Sequence, residues 1–322
     1  MAELNQLSED FNQYLSKKIE VKNPVNLYEP IKYILDLGGK RIRPLLVLLA
    51  TDLFETDYKK AFPAALAVEV FHNFTLIHDD IMDSASLRRG KPTVHHKWNE
   101  NIGILSGDAM LIQAYSLIEE YPDDIYRKIM KVFNKTAMEV CEGQQYDMDF
   151  EQLQDVSIKQ YLDMIKLKTS VLLASAFEIG AIIANATEED RKYIYNFGLN
   201  LGLAFQIQDD YLDTFGDEKS FGKRIGGDII ENKKTFLYLM ALQNSNLEDQ
   251  FLLKDLYKET DEVAKINKVT QFFNDKDIPD LTQKTIEIYT KQAFNFVDKL
   301  SLASEKKEIL KNLGLNLMNR SV

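Results

Sequence analysis

The chain has 322 residues, 45% of them apolar, and carries a net charge of −11. That length can bury a sizeable core, and the acidity argues against nucleic acid or an anionic membrane surface as a partner for the whole molecule. The single cysteine, Cys141, excludes an intrachain disulfide framework; it fits a reducing, cytoplasmic setting and is expected as a buried, inert thiol.

The chain opens on MAELNQLSEDFNQYL, polar and acidic, unlike a secretory signal. Gly38-Gly39-Lys40-Arg41-Ile42-Arg43-Pro44 reads as a turn that starts a helix. Its glycines leave amides free for an anion, and Lys40 and Arg43, three apart, are expected on one helical face. The longest apolar run, Pro44 to Ala50, is too short to span a bilayer. From Ala64 through Phe71, Phe74 and Ile77 the spacing predicts a long helix, apolar around most of its circumference and therefore interior. It runs into Asp79-Asp80-Ile81-Met82-Asp83, and a polar loop, Leu87-Arg88-Arg89-Gly90-Lys91-Pro92, follows. A second such helix runs from Tyr193 through Phe197, Leu201 and Ile207 into Asp209-Asp210-Tyr211-Leu212-Asp213, with Lys223 and Lys233 beyond it.

Only 7 prolines and 14 glycines interrupt the chain, and period-2 alternation is absent. Pro63, Pro122 and Pro279 stand where helices would begin. The polar breaks are too short for an interdomain linker. The expectation is one all-α domain over residues 1–322, a bundle of roughly ten or more helices.

The repeated acidic cluster carries the chemistry. Residues four apart on a helix share a face, so Asp79 pairs with Asp83 and Asp209 with Asp213. Carboxylates so placed repel unless a cation lies between them. Asp80 and Asp210 point about 100° away and are better suited to supporting the site than to binding the ion. The donors are all oxygen, which selects Mg²⁺ completed by water and phosphate oxygens. Basic residues follow or precede both clusters, so a diphosphate bridged by metal and by guanidinium is the expected ligand.

These stretches together resemble the trans-isoprenyl diphosphate synthases: GGKRIRP, FHNFTLIHDDIMD, LRRGKPTVH, SGDAML, GQQYD, the Lys168-Thr169 pair, and GLAFQIQDDYLD. The resemblance runs from residue 38 to residue 235 and beyond. It implies the all-α isoprenoid synthase fold around a deep central cavity, usually in a homodimer. It implies condensation of isopentenyl diphosphate with an allylic diphosphate (dimethylallyl, geranyl or farnesyl), with two or three Mg²⁺ ions between the clusters. Asp79, Asp83 and Asp209 would bind metal directly, and Asp213 directly or through water. Arg88, Lys168, Lys223 and Lys233 would contact the allylic diphosphate, and Thr169 and Gln206 would lie near the reacting carbons. Lys40, Arg43, His72 and Arg89 would hold isopentenyl diphosphate. Lys168, Thr169 and Gln206 would face the allylic cation, and the departed diphosphate would take the proton. Phe74, five residues before Asp79, with small Thr75 beside it, would form the floor that limits the product to geranylgeranyl diphosphate, farnesyl diphosphate being the close competitor.

Other readings fit less well. A terpene cyclase should lack GGKRIRP and carry a different second metal motif. A phosphohydrolase would need clustered histidines. A non-catalytic synthase subunit would have lost aspartates or basic contacts that are intact here.

Overall fold

The computed structural model describes residues 2–217 and 225–318. In chain order the elements are α1 (Ala2–Lys18), α2 (Val25–Asp36), α3 (Ile42–Leu53), a 3₁₀ turn (Tyr58–Ala61), α4 (Phe62–Met82), β1 (Leu87–Arg88), β2 (Lys91–Pro92), α5 (Val94–Lys97), α6 (Glu100–Ile118), α7 (Asp123–Gln152), α8 (Ile158–Ile165), a π-helical turn (Lys166–Ser170), α9 (Val171–Ile183) and α10 (Glu188–Phe215). Helices Gly227–Ile230, Phe236–Gln243, Leu247–Leu256, Glu262–Asp275, Ile278–Lys299 and Ser304–Met318 follow. Among the described residues the only strands are β1 and β2, so the expected all-α class holds.

Local chemistry sets the ends of these helices. Pro63 lies in the first turn of α4, where its missing N–H costs nothing. Asn99 caps α6 by accepting the N–H of Ile102 at 2.9 Å. Ser157 and Gln160 form a reciprocal capping box at the start of α8.

The chain divides into two compact units, residues Met1–Asn134 with Ser175–Arg191 and residues Lys135–Ala174 with Lys192–Val322. In the first, α4 is the central element and packs on α3 and α6. Every residue from Ala64 to Phe71 is buried, Glu69 included, as the apolar circumference requires. Leu46, Leu48, Leu66, Phe71 and Phe177 are among its fully enclosed side chains. In the second unit, Ile207 and Leu203 of α10 pack with Tyr161, Ile165, Phe236, Leu237, Phe272, Phe273 and Ile278 in one apolar cluster.

Three local expectations are corrected. Cys141 is exposed, not buried. The buried stripe of α7 runs through Phe133, Thr136, Val140, Gly143 and Gln144, and Cys141 falls one residue off it. Lys40 does not share a helical face with Arg43, because Arg41 takes a left-handed conformation (φ 45°) and α3 begins only at Ile42. The loop after the first aspartate cluster is a short hairpin, with Leu87 paired to Pro92 and Arg88 to Lys91. Arg89 (φ 53°) and Gly90 (φ 72°) make its two-residue turn. Among the described residues, no helix is long and apolar enough to cross a membrane.

Candidate functional site

The first aspartate cluster closes α4. The N–H of Asp83 donates to the carbonyl of Asp79 at 2.8 Å, so helical register carries through and the two carboxylates stand one turn apart. Asp79 is half-buried and Asp83 exposed. Asp80 between them is buried at 1% exposure and binds the guanidinium of Arg88 from below. Arg88 Nε donates to its two oxygens at 2.9 and 2.8 Å, and Nη2 lies 2.7 Å from Oδ1. The hairpin turns the chain back so that Arg88 can reach Asp80. Fully buried Thr93 fastens the hairpin's far end by donating from Oγ1 to the carbonyl of Ala85 at 2.7 Å.

A separate basic set lies in the same unit. Arg43 Nη1 is 3.1 Å from His72 Nε2. Burial, and then the charges of Arg43, Arg89 and Arg88, hold the His72 imidazole well below its usual pKa. The ring is therefore neutral at pH 7, with Nε2 accepting from Arg43. Gly39 (φ 124°) takes a conformation that only glycine adopts readily, and it lies against Arg89. A Cβ there would come within 2.8 Å of the Arg89 guanidinium carbon. Arg89 thus lies against the Gly38-Gly39 turn and, like Arg43, acts electrostatically on His72, with exposed Lys40 next along the chain after Gly39. Arg41 is committed elsewhere: its Nη2 donates to the carbonyl of Leu35 at 2.8 Å, and Nη1 donates to Asn12. Glu69, three residues before His72, is 3% exposed, and Asn73 Nδ2 donates to its Oε1 at 3.1 Å. Burial raises its pKa, while Asn73, Arg41, Arg43 and Arg89 oppose that shift.

The second cluster lies inside α10. Asp209 is half-buried, whereas Asp210 and Asp213 are buried. Asp210 accepts from the Tyr161 hydroxyl, from the N–H of Phe236 at 3.0 Å and from Gln206 Nε2 at 3.3 Å. Gln206 in turn accepts from Thr169 Oγ1 at 3.2 Å, which fixes the orientation of its amide. Burial, and then Asp228, push the Asp210 pKa up to about 7 against these three donors. Asp213 Oδ2 accepts the N–H of Asp228 at 3.0 Å, holding the first turn of helix Gly227–Ile230.

Lys168 and Thr169 lie on the π-helical turn, whose wider coil re-aims side chains between α8 and α9. Two glycines allow that turn to pass. A Cβ on Gly143 would fall onto the backbone nitrogen of Lys168, and one on Gly202 would come within 2.7 Å of the Cα of Ser170. Lys168 Nζ pairs with Asp147 of the GQQYD stretch at 2.5 Å. Lys233 pairs with Glu231 at 2.7 Å and Asp228 at 3.4 Å. Lys223 lies outside the described residues.

Among the described residues, no group of three or more His, Cys, Asp or Glu side chains comes together as a metal cage. Each outer aspartate pair offers carboxylate oxygens only. That donor set suits Mg²⁺, which is usually held by one or two carboxylates and completed by water and phosphate oxygens. Sequence reasoning missed Tyr161 and Asp147 as supports. Tyr161 carries no local signal, because only the fold brings it to Asp210.

The polyprenyl synthetase family model matches residues 24–273. The geranylgeranyl diphosphate synthase of Sulfolobus acidocaldarius is 36% identical over 310 residues, 95% of this chain and 92% of that one. The geranylfarnesyl diphosphate synthase of Natronomonas pharaonis is 38% identical over 263 residues, 76% of each chain. A crystal structure of a geranylgeranyl pyrophosphate synthase superposes with a TM-score of 0.95 at 51% identity, covering 99% of both chains.

The packing of Gly143 generates a prediction whose sign is diagnostic. Helix propensity alone would make Gly143→Ala stabilising by about 0.5–1 kcal/mol. The methyl group would instead meet the backbone of the π-helical turn, which cannot swing aside, so urea unfolding should show a loss of about 1–3 kcal/mol. A raised unfolding midpoint would mean that this turn is not held by the glycine.

Proposed function

The chain belongs to the polyprenyl synthetase family and is a trans-prenyltransferase; on that premise we propose that it condenses isopentenyl diphosphate with allylic diphosphates to form geranylgeranyl diphosphate. The observation that carries this reading is the coexistence, in one unit, of an aspartate cluster and a separate basic set built from Arg43, His72 and Arg89. A cyclase or a hydrolase handles one diphosphate and has no use for the second set. A condensing enzyme has two diphosphates to hold.

In this reading Lys40, Arg43 and Arg89 bind isopentenyl diphosphate, and neutral His72 orients Arg43 among them. The allylic diphosphate takes Arg88, Lys168, Lys223 and Lys233. Asp79, Asp83, Asp209 and Asp213 would hold Mg²⁺, which when bound supplies positive charge to the departing diphosphate. Lys168 exchanges its carboxylate partner, Asp147, for a phosphate oxygen. The hydroxyl oxygen of Thr169 and the amide oxygen of Gln206 present negative dipole ends to the allylic cation. The diphosphate released from the allylic substrate accepts the proton lost from the adduct. We take residues 1–322 to serve this one reaction as a single functional domain. The lone cysteine supports a reducing, cytoplasmic setting.

Phe74 supports the C20 product. It stands five residues before Asp79, half-buried, on the helix that carries the first cluster. A homodimer is supported by α6, which exposes Ile104, Leu105 and Ile112 at 43%, 59% and 64%, an apolar surface suited to a second copy.

Two outcomes are expected. The protein with Mg²⁺, labelled isopentenyl diphosphate and farnesyl diphosphate should yield a C20 product on chromatography, and Asp79→Asn or Asp209→Asn should lower kcat by on the order of 10²–10³-fold. No condensation with dimethylallyl, geranyl or farnesyl diphosphate would overturn the reading. In light scattering the protein should have twice its chain mass, and Ile112→Glu should release monomer; an unaltered mass in that variant would remove α6 from the interface.

A further inference from the structure

Phe74 does not stand alone on α4. Its ring meets Phe71, one turn below, at a centroid distance of 5.6 Å, and His78, one turn above, edge-on at 4.8 Å. Phe71 in turn meets Phe133 of α7 edge-on at 5.2 Å, and Phe133 meets Tyr115 of α6 edge-on at 5.3 Å. The result is a continuous ladder of five rings, His78, Phe74, Phe71, Phe133 and Tyr115, drawn from three helices.

The His78 end of the ladder is anchored, and its interior rings are enclosed. His78 Nε2 is 3.3 Å from the carbonyl of Ile104, and its ring fills the space that a side chain at Gly107 would need. Phe71 and Phe133 are enclosed, at 1% and 2% exposure. Interiors of this kind are close-packed, so a ring moves only where a neighbour yields space. Within the ladder the Phe74 ring backs onto Phe71, and Phe71 backs onto Phe133.

We propose that Phe133, backed by Tyr115, is a product-length determinant that sets the depth at which the Phe74 ring stands. This rests on the reading of Phe74 as the floor against which the growing chain stops. Neither Phe133 nor Tyr115 needs to touch the chain. Each acts through the ring in front of it, so both are positioning residues for specificity. Shortening Phe133 opens space two rings behind the floor, Phe71 tilts into it, and Phe74 follows. The site then accepts a further five-carbon unit before growth is blocked. Condensation itself is untouched, because no ring in the ladder carries the diphosphates.

The test sizes the products of Phe74→Ala, Phe133→Leu and Tyr115→Leu made from farnesyl and labelled isopentenyl diphosphates, with the thermal midpoint of each variant recorded. Phe133→Leu should raise the ratio of C25 to C20 product by on the order of tenfold while total turnover stays near the parent's. Phe74→Ala should lengthen the product further. If Phe74→Ala lengthens the product but folded Phe133→Leu still yields C20 alone, the ladder inference is overturned and the floor stands. If Phe74→Ala itself still stops at C20, the floor reading fails and the inference with it. Should Phe133→Leu not fold, Tyr115→Leu decides: longer product supports the ladder, and C20 alone overturns it.

Discussion

Three carboxylates within five residues at one helix end repel one another, and the arrangement of both aspartate clusters follows from how that repulsion is relieved. Two like charges about 6 Å apart cost about 3 kcal/mol at an effective dielectric of ~20. In each cluster the middle aspartate is removed from the contest. Asp80 is buried against the guanidinium of Arg88. Asp210 is buried under the Tyr161 hydroxyl, the Phe236 amide and Gln206. In the first cluster Asp79 and Asp83 remain one turn apart, a spacing that suits a hard divalent cation; in the second, Asp209 is half-buried and Asp213 is buried with Oδ2 on the Asp228 amide.

The same solution organises the basic side chains. Arg88 is placed by Asp80, so the hairpin from Leu87 to Pro92 exists as much to bring that guanidinium back as to connect α4 with α5. In the second unit the hydrogen bonds of Asp210 pass through Gln206 to Thr169, so one buried carboxylate orients both of these polar side chains. The π-helical turn supplies the remaining geometry, and Gly143 and Gly202 leave the space it needs. Ionic supports, amide orientation and backbone shape thus act together within each unit.

The helical architecture was legible in the sequence because α4 and α10 are apolar nearly all round and are punctuated by caps and prolines. The aspartate clusters were legible because the i, i+4 spacing is a property of the helix itself. What escaped the sequence depends on long-range packing. Tyr161 meets Asp210 only after α8 and α10 have folded together. The neutral state of His72 depends on its burial and on three arginines from two other segments. The turn from Gly38 to Arg41 uses three consecutive or near-consecutive positive-φ residues, so helical spacing could not be extended back to Lys40. Cys141 escaped because its type favours burial while its place on α7 does not.

The division of labour within a cluster is tested most directly by comparing Asp79→Asn with Asp80→Asn in thermal unfolding, with and without Mg²⁺ and inorganic pyrophosphate. Binding to the folded state raises Tm in proportion to ligand saturation. Asp80→Asn should lower the ligand-free Tm by several degrees, because a buried ion pair loses one member. Asp79→Asn should lower it less and abolish most of the rise caused by Mg²⁺ and pyrophosphate. A full ligand-induced rise in Asp79→Asn, or an unchanged ligand-free Tm in Asp80→Asn, would contradict that division of labour.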